Sequence, residues 1–574
     1  MPQKGRIMHY DDKPWLKHYD QGVEADIDIS PHTYVYLLEQ GLTRFPEKPA
    51  LFFMGKAISF RDLDQMSARL AGYLAKSGYG PGDVAGIHMP NIPQYLIALA
   101  GIQRAGMAAT GISMLLKPRE LAHQLNDSGA KVLVTLDVFF EQTLWDVRDQ
   151  VPALEKVLYA NVGDFMPFIK RSLGSALKKI PTGNIRPIPG KTVEPILAIV
   201  KEGDATKPDI NLTPQDTCLI QYTGGTTGLP KGVVLTHANI VANVEQQVYW
   251  SKFANGEDVF CSGFPFFHMA GKMIGLAAMA TSNPQCLIPD PRNTKHIAHE
   301  IKAHNATVLV NVPTLYQMLL EDPAFVSLDF SKVRVCVSGA APFSVDAINR
   351  FEKVVGKGKV VEVYGMTETS PLSTSNPYLN PKKIGSVGMP LPNTHIKIMD
   401  VETGAQEMPF GEEGEIVVNG PQVMAGYHNK PEETNHALRE HDGKLWMHTG
   451  DIGRMDEDGY IYLVDRAKDM LIVGGYKVFS REVEETLSQV PAVELCAIIG
   501  VPNPEKQGSE TVKAFIQVAG EFKGRDKGQL EQEILAYCQE NMSPYKVPKI
   551  VEFVDQIPLT AVGKVDKKAL RPPK

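Results

Sequence analysis

Cysteine is sparse in this chain and nowhere paired. Its six cysteines (218, 261, 286, 336, 496 and 538) are scattered over 574 residues without a Cys-x-x-Cys spacing. That excludes a disulfide framework and a zinc-ribbon site, and it fits a reducing cytoplasm. Long apolar runs are missing too. The run from Leu96 to Leu116 is broken by Gln103 and Arg104, and that from Met269 to Thr281 by Lys272, so neither reads as a membrane span. The opening MPQKGRIMHYDDKPW has no apolar signal core. Positive charge is not in excess: 59 basic against 66 acidic residues leave a net charge of −7, which implies no general affinity for nucleic acid. Two phosphate-binding signatures are absent. There is no Gly-x-Gly-x-x-Gly turn, and Lys231 follows Pro230 and precedes a glycine, which breaks the Walker pattern. No internal repeat is evident.

What is present reads as a soluble or peripheral cytoplasmic protein, 43% apolar and 22% charged. Its length calls for two or more domains. Strand and helix patterns alternate from ALFFMGKAISF onward and predict parallel sheets covered by helices. From Lys382 the texture changes to short strands with frequent glycine and proline, a β-rich subdomain. The last hundred or so residues read as a compact α+β unit. The fold class is therefore α/β, with a large N-terminal domain (1–464), a hinge (465–468) and a small mobile C-terminal domain (469–574). Residues 165–179 set Phe165, Phe168, Ile169, Leu173 and Leu177 among Lys170, Arg171, Lys178 and Lys179. An ordinary surface helix is the favoured reading there. Peripheral contact with an anionic membrane stays open, because an apolar substrate would arrive from lipid.

The densest motif is YTGGTTGLPKGVVLTH, Tyr222 to His237. Thr223, Gly224, Gly225, Thr226, Thr227 and Gly228 form a run of glycines and hydroxyls between two strand patterns, followed by Lys231. Glycine lets backbone N–H groups come close to an anion, threonine hydroxyls donate, and lysine supplies charge. Further along, VSGAAP ends a strand in small residues, where Gly339 and Ala340 leave room for a flat base. YGMTETS offers Tyr364 to stack, with Gly365 beside it, Thr367 to donate to an α-phosphate and Glu368 to hold Mg²⁺. In HTGD, Asp451 can accept from ribose hydroxyls; in DRAKDMLIVGGYKV, Arg466 can bind ribose or phosphate, and Gly474 and Gly475 let a thin chain pass. Lys564, in GKVDKK, is a cation on a glycine turn.

These motifs, in this order and approximate spacing, resemble the adenylate-forming superfamily. With MPNIPQYLIALAGIQRAG, GPQVMAGY and YKVPKIVEF they are most similar to bacterial long-chain fatty-acid–CoA ligases. The resemblance implies a two-step enzyme that uses ATP, Mg²⁺ and coenzyme A. A carboxylate attacks the α-phosphate and pyrophosphate leaves. Lys564, Thr367 and Glu368 are then catalytic, with Glu368 and Thr223 as metal ligands. The small domain next rotates about Asp465 and Lys468, and the CoA thiol enters past Gly474, Gly475 and Lys477. His268 and Lys272 border the acyl pocket, although His268 also reads as a satisfied core histidine. A homodimer is compatible with the resemblance. Three positions depart from relatives: Ile472 and Lys477 replace a lysine and a tryptophan, and Lys272 replaces a gating tryptophan. The acid expected is medium- to long-chain, with an aryl acid or a carrier-protein acceptor as alternatives.

Overall fold

A computed structural model describes residues 9–223, 230–401, 403–466, 469–473, 476–503, 509–560 and 564–571. Two large sheets dominate. One has eight strands, and six of them, from Thr217–Thr223 through Ala108–Gly111, Val84–His88, Ala130–Leu136 and Lys156–Ala160 to Thr192–Pro195, are parallel neighbours. The other has nine strands, whose parallel run ends with Val308–Asn311, Val335–Ser338 and Val360–Gly365 side by side. The central strands are buried on both faces, which is why they read as near-continuous apolar runs.

The connecting helices begin and end where local chemistry dictates. Ser59 caps Phe60–Lys76 by accepting from the Asp62 N–H, and Thr236 caps His237–Ser251 by accepting from that of Asn239. Gly129 closes Pro118–Ser128 in the left-handed conformation, at φ 64°. Helix Pro93–Arg104 is buried along its whole length, and the charge of Arg104 in its last turn is paired with Asp64 at 2.5 Å and Glu39 at 2.7 Å.

The β-rich region forms an antiparallel sheet around the long strand Lys444–Met455, which pairs on one side with Gly414–Asn419 and on another stretch with Ile461–Arg466. Beyond it, Val493–Pro502, Glu510–Val518 and Ile550–Val554 make a separate three-stranded sheet, with helices Ser480–Leu487 and Lys527–Asn541 against it. Among the described residues no helix is long and apolar enough to cross a membrane. Helix Phe168–Ala176 buries none of its residues. Phe165 parts company with the stretch it was grouped with: it closes a short 3-10 turn, Val162–Phe165, and is buried. The turn breaks the helical periodicity and points that ring into the core.

Candidate active site

Ligands of open α/β sheets settle in the crevice beyond the carboxyl ends of the strands. Here that edge holds Ser338 and Gly365. Gly339 follows the first of these strands, and a Cβ there would meet Val363 Cγ2 at 2.8 Å. Ala340 then takes a left-handed φ of 68°, which turns the chain away and leaves a bare backbone ledge. Gly365 is obligatory: a Cβ would lie 1.8 Å from the Pro371 carbonyl oxygen. Tyr364, just before it, donates to Asp451 Oδ2 at 2.8 Å. Asp451 faces Arg466 in the ladder between Lys444–Met455 and Ile461–Arg466. Three residues of three motifs are thus neighbours, a ring, a carboxylate and a strand-end arginine whose backbone alone is described.

Glu368 sits on a 3-10 turn, Thr367–Thr369, made rigid by the Met366 N–H donating to Thr369 Oγ1 at 3.2 Å and by Thr369 donating to the Pro371 carbonyl at 2.7 Å. Thr367 and Glu368 are both buried. The Glu368 carbonyl accepts from Met424 N at 2.9 Å, and its carboxylate accepts from the Tyr427 hydroxyl at 2.8 Å. Burial, and then the Glu368 carboxylate, push the Tyr427 hydroxyl far above its ordinary pKa, so it remains a donor. Tyr427, the partner of Glu368, is not among the residues the sequence singles out. Its sole signal was a place at the end of GPQVMAGY.

The glycine–threonine loop joins an antiparallel hairpin. Thr223 is paired with Lys231 at its last rung. Gly224, Gly225, Thr226, Thr227 and Gly228 lie outside the described residues. Lys231 Nζ is 3.7 Å from Glu433 Oε1 and 5.2 Å from the centre of the Tyr427 ring. Lys231 and Glu368 therefore share Tyr427. Oxygen donors, the Glu368 carboxylate and the Thr223 hydroxyl, are the chemistry that Mg²⁺ takes, and one protein carboxylate suffices where phosphates and water complete the shell. Among the described residues no group of three His, Cys, Asp or Glu side chains is placed to hold a metal.

His268 caps the apolar helix Met269–Ala280. Its Nδ1 accepts from Ala270 N at 3.3 Å, which leaves the proton on Nε2. Burial, with the charges of Lys564 and Lys272, lowers its pKa to about 3, so the ring is neutral. Lys564 thus stands near enough to His268 for its charge to be felt. Lys272, one turn along the helix, is fully buried and donates to Gln221 Oε1 at 2.7 Å. Gln221 in turn donates to the Phe267 carbonyl at 2.9 Å. Burial lowers the Lys272 ammonium to about 7. A Cβ on Gly111 would meet Lys272 Nζ at 2.8 Å, so that glycine makes room for it. Gln221, 51 residues from its partner, is not among them either.

Asp465 pairs with Ile452 in the β-rich sheet, while its carboxylate accepts from Ser480 Oγ at 2.8 Å and from Arg481 N at 3.3 Å. Lys468, Gly474 and Gly475 lie outside the described residues. Lys477 is described only as backbone, in strand Tyr476–Val478.

A fold of this kind, two helix-covered sheets followed by a β-rich region and a small C-terminal unit, matches a known class along its length. The family of AMP-binding enzymes matches residues 38–428, and the AMP-binding enzyme C-terminal domain matches residues 482–564. The chain belongs to this adenylate-forming family. It is 37% identical over 569 residues to a long-chain-fatty-acid–CoA ligase of Bacillus subtilis, covering 97% of each chain. It is 35% identical over 572 residues to a ligase of the same description from Escherichia coli O6:H1, covering 97% of this chain and 98% of the relative. Among solved structures, an anthranilate CoA ligase in complex with anthranoyl-AMP superimposes with a TM-score of 0.81 at 26% identity, covering 98% of both chains.

Proposed function

We propose that the protein is an ATP-dependent fatty-acid–CoA ligase for medium- to long-chain acids, working through an acyl-adenylate and releasing AMP and pyrophosphate. The observation that carries this reading is the pairing, at the carboxyl edge of the sheet, of Tyr364 with Asp451 and of Tyr427 with Glu368, each at 2.8 Å. Helix Met269–Ala280 is apolar along most of its length, the lining an alkyl chain needs, although the room the sequence assigned to Gly271 is taken by the Pro265 carbonyl, 2.3 Å from where a Cβ would lie, and that at Gly275 by Leu96, at 3.0 Å. The fatty-acid–CoA ligases matched above along nearly their whole length support the same substrate class.

The roles follow from the chemistry of the groups. Gly339, Ala340, Tyr364 and Gly365 shape the base site, and Asp451 with Arg466 serves the ribose. Lys231 and the loop before it position the β- and γ-phosphates. Glu368 and Thr223 would hold Mg²⁺, which when bound neutralises phosphate charge. Thr367 and Lys564 aim donors at the α-phosphate, where charge builds during attack. A division at Asp465–Lys468 lets the small domain withdraw Lys564 before the thiol arrives past Gly474, Gly475 and Lys477. The protein works in the cytoplasm, and within the stretch 165–179 the exposure of Phe168, Ile169, Leu173 and Leu177 favours contact with the inner face of the membrane over an ordinary surface helix.

The test is release of pyrophosphate and AMP with palmitate, with and without CoA. AMP release that rises with CoA, alongside palmitoyl-CoA, is expected. Release indifferent to CoA but raised by a holo carrier protein overturns the CoA assignment. The anthranilate CoA ligase likeness favours one second reading, an aryl acid. A panel of acids of rising length that includes benzoates separates the two.

A further inference from the structure

Lys567 lies three residues beyond Lys564 at the start of the short helix Lys567–Leu570. Its Nζ is 2.8 Å from Glu484 Oε1 and donates to Ser480 Oγ at 2.6 Å. Ser480 is fully buried. Its hydroxyl has one proton, which goes to Asp465 Oδ2 at 2.8 Å, so the oxygen is left to accept from Lys567. Arg481 N donates to the same Asp465 oxygen, and Ile498 N donates to Glu484 Oε1 at 2.7 Å. Four side chains thus form a relay, Asp465–Ser480–Lys567–Glu484. It joins a strand of the β-rich sheet, a helix of the small C-terminal unit, and the segment that carries Lys564. A second tie, Arg571 Nη2 to Asp469 Oδ1 at 2.6 Å, holds the same segment from its far end.

Two properties set the relay apart from ordinary surface pairs. It is sheltered: the side chains of Lys567 and Glu484 are 15% and 21% exposed. It also straddles the proposed hinge, with Asp465 before Lys468 and the other three residues after it. Any rotation about 465–468 carries Ser480 and Arg481 away from Asp465, while the bonds among Ser480, Lys567 and Glu484 travel intact with the small unit.

We propose that Lys567 is a positioning residue for Lys564, fixing it through Glu484, Ser480 and Asp465 in the pose used for adenylation, and that the Asp465–Ser480 bond is the joint that opens when the domain turns. This rests on the reading of Lys564 as the adenylation lysine. Lys567 itself touches no substrate; it acts through the segment it anchors.

The two half-reactions separate this from a merely structural role. Pyrophosphate formation from acid and ATP reads the first, and acyl-CoA formation from supplied acyl-AMP reads the second. Lys567→Met should slow the first by about 100-fold, the scale on which misplacing a reacting group costs rate, with the KM for ATP little changed. The second should stay within about threefold of wild type, with Lys567→Arg recovering most of the first. Ser480→Ala removes only the joint's hydroxyl and keeps the proposal testable if Lys567→Met does not fold. It should slow the first half-reaction and leave the second equal or faster. Equal loss in both half-reactions, or no loss in either, overturns the proposal. If Lys564→Ala abolishes adenylation while the Lys567 and Ser480 variants leave it untouched, this inference alone fails. If Lys564→Ala leaves adenylation intact, the parent reading fails with it.

Discussion

One hydroxyl fixes where Glu368 points. The Tyr427 ring is held beneath Lys231 and its O–H donates to the carboxylate. Tyr427→Phe removes a hydrogen bond to a charged group, worth about 1.5–3 kcal/mol. We expect kcat for adenylation to fall about tenfold or more, with the Mg²⁺ concentration at half-maximal rate rising, and wild-type Mg²⁺ dependence would refute the role. Lys272 gives a second residue-scale expectation. Its folded pKa, about 7, lies below the ordinary 10.5, so the unfolded chain binds the extra proton between those values. The cost of burying the charge is present in full below about pH 7 and is relieved as pH rises toward 10.5. Wild-type melting temperature should therefore climb across that window relative to Lys272→Met, and parallel pH profiles would show that the lysine is not the cause. Glu368 and Asp451 were legible because each sits in a short motif whose neighbours announce it. Tyr427 and Gln221 were not: each gains its role from a partner 59 or 51 residues away, brought together only by folding.

At the scale of elements, period and punctuation carried most of the reading. Strands Thr217–Thr223 and Lys231–Thr236 stand where the sequence put the two strand patterns on either side of the glycine–threonine run. Burial direction was harder to read. In the basic amphipathic stretch the sequence grouped Phe165 with Phe168, but Phe165 ends one 3-10 turn and Phe168 begins a separate helix, so one points inward and the other out. Phe168, Ile169, Leu173 and Leu177 are 81%, 71%, 58% and 63% exposed, with Lys178 and Lys179 alongside. An apolar face rimmed by cations fits an anionic bilayer. Co-sedimentation with phosphatidylglycerol vesicles should be lost in a Phe168→Ser, Leu173→Ser variant and weakened by salt, whereas phosphatidylcholine vesicles should bind poorly. Equal binding of variant and wild type would remove residues 168–179 from the interface. Gly365 offers the opposite kind of element test. Any side chain there strikes the Pro371 carbonyl, so Gly365→Ala should cost at least about 1–3 kcal/mol in a denaturant titration.

Across the whole molecule, the sequence showed the order of motifs but not how they close on one another. A run of motifs states which chemistries are present. It says nothing of the four-residue relay at Asp465, because serine, lysine and glutamate at those spacings are ordinary surface composition. The half-reaction split is the whole-molecule prediction. Lys564→Ala should reduce pyrophosphate formation by about 10²–10³-fold, as loss of a placed charge donor does, while acyl-AMP supplied directly is still converted to thioester. Equal loss in both steps would mean that Lys564 supports the fold rather than the first reaction.

The sharing of one ring by Lys231 and Glu368 has a consequence for how errors add. Strand Gly426–Tyr427 is two residues long and pairs with Lys231–Thr236, so the sheet edge that bears the lysine and the turn that bears the carboxylate are laced through the same aromatic. Substitutions at the two positions should not be independent. In a double-mutant cycle of Lys231→Ala and Glu368→Gln, the combined loss should differ from the sum by about 0.5–3 kcal/mol, and that excess should vanish once Tyr427 is alanine.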